Sequence, residues 1–281
     1  MAVKIIADST CDLSQELIEK YDIEIIPLTV TLGITSGYDG VDITPEDIYE
    51  FVGKTGELSK TSAVNVGEYI EAFKAWRMRG YDIVSFSISS GFSSSFQSAV
   101  TAAEAVGGVY PVDTRNLSTG EALVILKAAE MAKNGASPAE IVQKCEELIP
   151  KVEASFVVDS IEYLHKGGRC SSVAALGANL FKIKPAIEVI DGGMQAGKKY
   201  RGNINKAITT YVEDRLGGRD DIDMSRIFIT HTRCDQSEVD KVRELIYQYC
   251  PDMQEVLETV AGATITTHCG PGTLGILFLR K

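Results

Sequence analysis

The sequence predicts an α/β protein of two domains, an N-terminal parallel-sheet domain followed by a C-terminal domain with a mixed or antiparallel sheet. Three observations carry this expectation. Short apolar runs such as "VKIIAD" and "YDIVSF" alternate with helical runs through the first half, as βαβ units covered on both sheet faces do. Beyond residue 152, strand-like runs adjoin one another without crossover helices. The 281 residues, 44% hydrophobic and 24% charged, suffice for one large core or two ordinary ones. The division falls at 1–152 and 153–281.

In order, "VKIIAD" reads as a buried strand and "SQELIEKYD" as a short helix opened by Ser14. "IEIIPLTVTL" reads as a second strand. "TPEDIYEFVGK" is a helix with Thr44 as N-cap and Pro45 in the first turn, where a missing N–H costs nothing. The helix "NVGEYIEAFKAWRMRG", the strand "YDIVSFSI", the helix "SFQSAVTAAEAVG", the run "GVYPVD" and the amphipathic "STGEALVILKAAEMAKNG" follow. In the second half "SFVVDSI" is a strand, and "KPAIEVIDGGMQAGKKYR" is two strands about a turn near Gly192 and Gly193. The helices "INKAITTYVEDRLGG" and "SEVDKVRELIYQYC" bracket the strand "RIFITHT", and "ATITTHCGPGTLGILFLR" reads as strand, tight turn, strand.

A formal charge of −11 disfavours non-specific contact with nucleic acid or an anionic membrane. Six dispersed cysteines without a CxxC pair or zinc spacing fit a reducing compartment. No signal peptide and no apolar run of membrane-spanning length is visible, so a cytoplasmic location is expected.

Four stretches hold the chemistry. "SISSGFSSSFQSA" (87–99) places seven serines at the carboxyl end of a parallel strand and the start of a helix, where open α/β sheets bind ligands and where unpaired N–H groups favour an anion. It can equally be an N-cap with spare hydroxyls. A hydrolase elbow would need a second glycine where Ser95 stands, and a base from among His165, His231 and His268. A phosphate cradle lacks its motif, and "ADSTCDL" looks like an Asx or Ser/Thr turn. "LSKTSAV" (58–64) offers Lys60, Thr61 and Ser62, either an ordinary loop or half of a carboxylate site. "THCGPGTLG" (267–275) sets His268 before a tight Gly270–Pro271–Gly272 turn. "YLHKGGRCSS" (163–172) carries Arg169, with Lys166, Lys182, Lys184, Lys198, Lys199 and Arg201 following as a basic cluster, a solvated face or the rim of a site.

"ADSTCDL", "KTS", "SISSGFSSSFQSA", "YLHKGGR", "KIKP" and "THCGPGTLG" occur in the order seen in DegV-family proteins, and over essentially the whole chain the sequence resembles that family. The resemblance implies a two-domain α/β protein holding one long-chain fatty acid, palmitate for example, between its domains. The carboxylate anchors it implies are Thr61 and Ser93, with Ser62 adjacent, His268 completing the polar network and Arg169 matching the "GGR" arginine. It implies no cofactor and no chemistry of the protein's own, but presentation of the acid to a partner fatty acid kinase. From their charge, Arg169, Lys198, Lys199 and Arg201 are expected at the rim, contacting the kinase or, transiently, a membrane surface, with Gly270 near the head group. Two departures stand out: Ser94, Ser95 and Phe96 replace the family's frequent Gly-Thr-Tyr, and Cys269 replaces a small apolar residue. A serine esterase with Ser93 as nucleophile, and a lipid carrier or sensor without a kinase, are the competing readings.

Overall fold

The computed structural model describes residues 2–170 and 183–281. Its first sheet is parallel, with β2 (Ile23–Ile26), β1 (Val3–Asp8), β6 (Asp82–Ser87) and β7 (Val109–Asp113) side by side in that order. One face is covered by α3 (Val66–Arg77) and α4 (Ser95–Val106), whose Tyr69, Phe73, Ala99 and Ala102 pack on Ile6 and Ile83. The second sheet is mixed, ordered β10 (Gly193–Arg201), β9 (Ile183–Ile190), β8 (Val152–Val157), β13 (Thr273–Arg280), β11 (Ile222–Thr232) and β12 (Glu255–Val260). Only β11 and β12 run parallel in it. Its outer face carries α8 (Ile204–Leu216) and α9 (Gln236–Tyr249), with Tyr211 and Val239 fully buried.

Between the two sheets lies α5 (Thr119–Lys133), followed by α6 (Pro138–Leu148). The sequence reads α5 as amphipathic, yet Thr119–Leu126 is buried without a break. A helix apolar on every side is one packed on every side: Leu123, Val124, Ile125 and Leu126 share a core with Val84 and Phe86 of one sheet and Phe228 and Leu277 of the other.

Caps fall where the sequence puts them. Ser14 Oγ accepts the Leu17 N–H to open α1 (Gln15–Tyr21), and Thr44 forms a capping box with Asp47 to open α2 (Pro45–Thr55). Two readings are corrected. "IEIIPLTVTL" is two strands: Pro27 directly after β2 carries no N–H with which to extend the ladder on β1, and the chain leaves the parallel sheet there. It then forms β3 (Thr29–Leu32), the centre of a small antiparallel sheet with β4 (Thr35–Tyr38) and β5 (Lys60–Ser62). The segment "ATITTHC", read as a strand from its β-branched residues, is the helix α10 (Ala263–Cys269). Its first N–H groups are claimed by carboxylates from distant loops: Gly262 N–H donates to Asp12 (2.7 Å) and Ala263 N–H to Asp39 (2.8 Å). Such tertiary capping outweighs a propensity difference of a few tenths of a kcal/mol per residue.

Candidate functional site

Thr61 sits in β5 opposite Val30 of β3, between the exposed Lys60 and Ser62. Strand alternation turns it toward α10, where Thr61 Oγ1 and His268 Nε2 share a hydrogen bond of 2.8 Å. His268 is fixed by its helix. Asp12 and Asp39 hold the helix start, Thr267 Oγ1 bonds the buried Ser59 hydroxyl at 2.8 Å, and Thr232 Oγ1 donates to the Gly270 carbonyl just beyond its end. Gly270 has φ +71°, and a Cβ there would lie 2.5 Å from the Tyr163 ring, so the turn requires glycine.

The serine run divides its labour. Ser93 Oγ bonds Ser95 Oγ (2.9 Å) and accepts the Ser95 N–H (3.2 Å), while Ser95 Oγ accepts the Val64 N–H (3.3 Å) beside the "KTS" strand. Ser94, the residue before α4, makes no side-chain cap. Arg169 reaches across from the loop after α7 (Glu162–Gly167), donating to the carbonyls of Gly167 (2.7 Å) and Phe92 (3.5 Å).

Thr61, Ser93, Arg169 and His268 thus meet at one cavity of about 50 Å³, whose other walls include Ile88, Phe92, Leu117, Met194 and Ile265. Leu117, Ile265 and Cys269 also line a neighbouring pocket of about 20 Å³, whose walls include Phe156 and Leu277. The polar residues therefore stand beside apolar side chains in a cavity that neighbours a second, apolar one.

Burial, together with the nearby Arg169 charge, holds the His268 pKa down to about 4, so the ring is neutral at pH 7. Among the described residues its Nδ1 has no hydrogen-bond partner, and it lies so close to Gly167 that a Cβ there would approach it to 2.6 Å. Burial pushes the Cys269 thiol up to about 12, which keeps it protonated.

The remaining expected residues lie elsewhere. Ser62 is exposed, and Lys198, Lys199 and Arg201 lie exposed on β10, outside the residues lining the cavity. Lys198 pairs with Asp214 (2.5 Å), Lys184 with Asp159 (2.5 Å) and Lys166 with Glu162 (2.7 Å), so much of the basic cluster is neutralised locally. Lys182 falls outside the described residues. Among the described residues no cluster of His, Cys, Asp and Glu could hold a metal ion, and no helix is long and apolar enough to cross a membrane.

Behind α10 lies a group the sequence reading missed. Asp8, Asp12 and Glu121 are buried at the carboxyl end of β1 and the start of α5. Burial raises Asp8 to about 6, Asp12 to about 8 and Glu121 well above its usual range. Thr10 Oγ1 touches both Asp8 Oδ1 (2.5 Å) and Glu121 Oε1 (2.8 Å). One hydroxyl has one proton to give, so one of these carboxyls must donate instead. Glu121 is that acid, because Asp8 already accepts the backbone N–H groups of Ile88 (2.9 Å) and Thr10 (3.1 Å).

The chain matches the model of the DegV family over residues 2–281. It is 31% identical to a DegV domain-containing protein of Caldanaerobacter subterraneus, over 99% of each chain. The crystal structure of a DegV lipid-binding protein from Thermotoga maritima superposes with a TM-score of 0.84 at 31% identity, covering 100% of both chains. A fatty-acid-binding DegV protein from Thermus thermophilus superposes at 0.88 with 28% identity, again over 100% of both. Family model, relatives and fold agree: the chain belongs to the DegV family.

Proposed function

We propose that this protein binds one long-chain fatty acid, its carboxylate among Thr61, Ser93, His268 and Arg169 and its acyl chain along the apolar channel past Leu117, Ile265 and Cys269. Residues 1–152 supply the anchoring loops of Thr61 and Ser93. Residues 153–281 supply Arg169, Met194 and His268 and close over the chain. The observation that carries this reading is the Thr61–His268 pair set in a largely apolar cavity, with Arg169 and Ser93 beside it. A buried carboxylate is stable only when hydrogen-bonded and charge-compensated. Two hydroxyls, a neutral imidazole and a guanidinium provide both, and each buried methylene adds about 0.8 kcal/mol.

The nucleophile reading is less well supported. Ser93 is paired with Ser95, and His268 with Thr61, so the serine and the base are engaged with other partners. In the proposed role the protein works in the cytoplasm, uses no cofactor and does no chemistry itself. It presents the carboxylate to a fatty acid kinase, with a transient membrane contact for loading. Mass spectrometry of an organic extract of the purified protein tests the binding. About one fatty acid per chain, lost in Thr61→Val/Ser93→Ala, is expected; a protein that carries none and takes up none overturns the reading.

A further inference from the structure

The serine run holds more hydroxyls than one carboxylate can use, and Ser89 spends its own elsewhere. Ser89 is 1% exposed, and its Oγ donates to the carbonyl of Gly192 at 2.7 Å. Gly192 follows Asp191 in the two-residue turn joining β9 to β10, with φ of +80° and +50° respectively, the pattern of a tight Asp-Gly hairpin. Arg115 Nη2 donates to the other carbonyl of that turn, Asp191 O, at 3.0 Å. The parallel-sheet half therefore grips both carbonyls of the hairpin tip.

The grip is built. Asp113 accepts the N–H of Arg115 (3.0 Å), the N–H of Ser90 (3.1 Å) and the Ser90 hydroxyl (2.5 Å), bracing both loops. Arg115 itself is held at φ +49°, a conformation side-chain-bearing residues seldom adopt. A Cβ on Gly91 would lie 2.4 Å from Gly192 O, and one on Gly192 2.8 Å from Ser89 Oγ. Glycine on both sides lets the two backbones touch.

This junction joins two walls of the acyl channel. Phe92 and Ser93 follow Gly91, Met194 follows the hairpin tip, and all three line the cavity. A cavity of about 50 Å³ has room for a few waters, so a chain of a dozen methylenes enters only if walls part. Among the described residues β10 pairs with β9, and that pairing slips between Ala196 and Lys199, which gives the hairpin a place to bend.

We propose that the Asp191–Gly192 turn is a strap over the channel, and that Ser89 and Arg115 are positioning residues that hold it shut and set the rate of fatty-acid exchange. This rests on the fatty-acid reading. The test is stopped-flow exchange of parinaric acid on wild type, Ser89→Ala, Arg115→Ala and the double variant, with amide hydrogen exchange over residues 188–196 read in parallel. Loss of both bonds should speed association and dissociation alike, by about tenfold in the double variant, leaving the Kd within about threefold and the strap amides exchanging faster. A merely structural role would weaken Kd without the paired change in rates. Unchanged rates in a folded double variant that binds parinaric acid would overturn the strap alone. A wild type that binds none would overturn the reading beneath it, and unchanged amide protection would then remove the strap as a mobile element as well.

Discussion

The two ends of α10 carry polar groups of opposite character. At its N-terminus Asp12 and Asp39 are fully used: Asp12 accepts from Gly262 N–H and is paired with the Ser118 hydroxyl, and Asp39 accepts from Ala263 N–H and the Ser9 hydroxyl (2.8 Å). At its C-terminus His268 has one nitrogen bonded and the other without a partner among the described residues, while Arg169 donates to the carbonyls of Gly167 (2.7 Å) and Phe92 (3.5 Å). A satisfied polar network fixes a structure, and one with unspent hydrogen-bond capacity beside a largely apolar cavity is set up for a ligand. The two groups lie within a few turns of each other, and hydrogen-bond capacity separates them where residue type does not.

Substitutions should respect that difference. The largest effect is expected from Asp39→Ala, which strips partners from Ala263 N–H and Ser9; a loss of about 3 kcal/mol in urea unfolding is expected. Thr61→Val should act the other way round, weakening fatty-acid affinity about tenfold in a competition titration while leaving the urea midpoint almost unchanged. If both variants lose stability equally, the division between the two ends of the helix is wrong.

The third prediction concerns pH. Asp12 has a folded pKa raised to about 8, so the folded state keeps a proton that the unfolded chain releases near pH 4. Its contribution to stability is complete below about pH 4 and is lost as pH climbs toward 8. Asp12→Asn mimics the protonated acid, accepting from Gly262 N–H and donating to Ser118, and should flatten the decline between pH 6 and 8 by about 1 kcal/mol per pH unit. Unfolding curves at pH 6, 7 and 8 measure it. Ser62→Ala should be the quietest change, within about 0.5 kcal/mol and without effect on affinity, because Ser62 is exposed beside the site rather than in it.

The alternating strands and helices, the caps at Ser14 and Thr44 and a hairpin near Gly192 and Gly193 were all legible, because each depends on a few neighbouring residues; the turn itself falls one residue earlier, at Asp191–Gly192. Thr61, Ser93, Arg169 and His268 were singled out in the sequence from hydroxyl density, glycine turns and the family resemblance, and the fold brings them to one cavity. The helix at Ala263–Cys269 was not legible, since what starts it are Asp12 and Asp39, more than two hundred residues away. Nor was the burial of Asp8 and Glu121: an acid in a turn and another in a helix look solvated until two sheets close over them. Ser89 showed the same limit, as its partner Gly192 lies 103 residues on.

Pro27 has a consequence for how this chain tolerates change. By ejecting the chain from the parallel sheet it creates β3, and β3 is the strand that pairs with β5, with Thr29, Val30 and Thr31 facing Ser62, Thr61 and Lys60. Side chains in a strand alternate, so the phase of β5 is what lets Thr61 face α10 and bond His268. Inserting or deleting one residue between Pro27 and Val30 would present Lys60 and Ser62 inward and turn Thr61 to solvent, whereas two added residues would restore the phase. In this short stretch the count of residues carries more information than their identity.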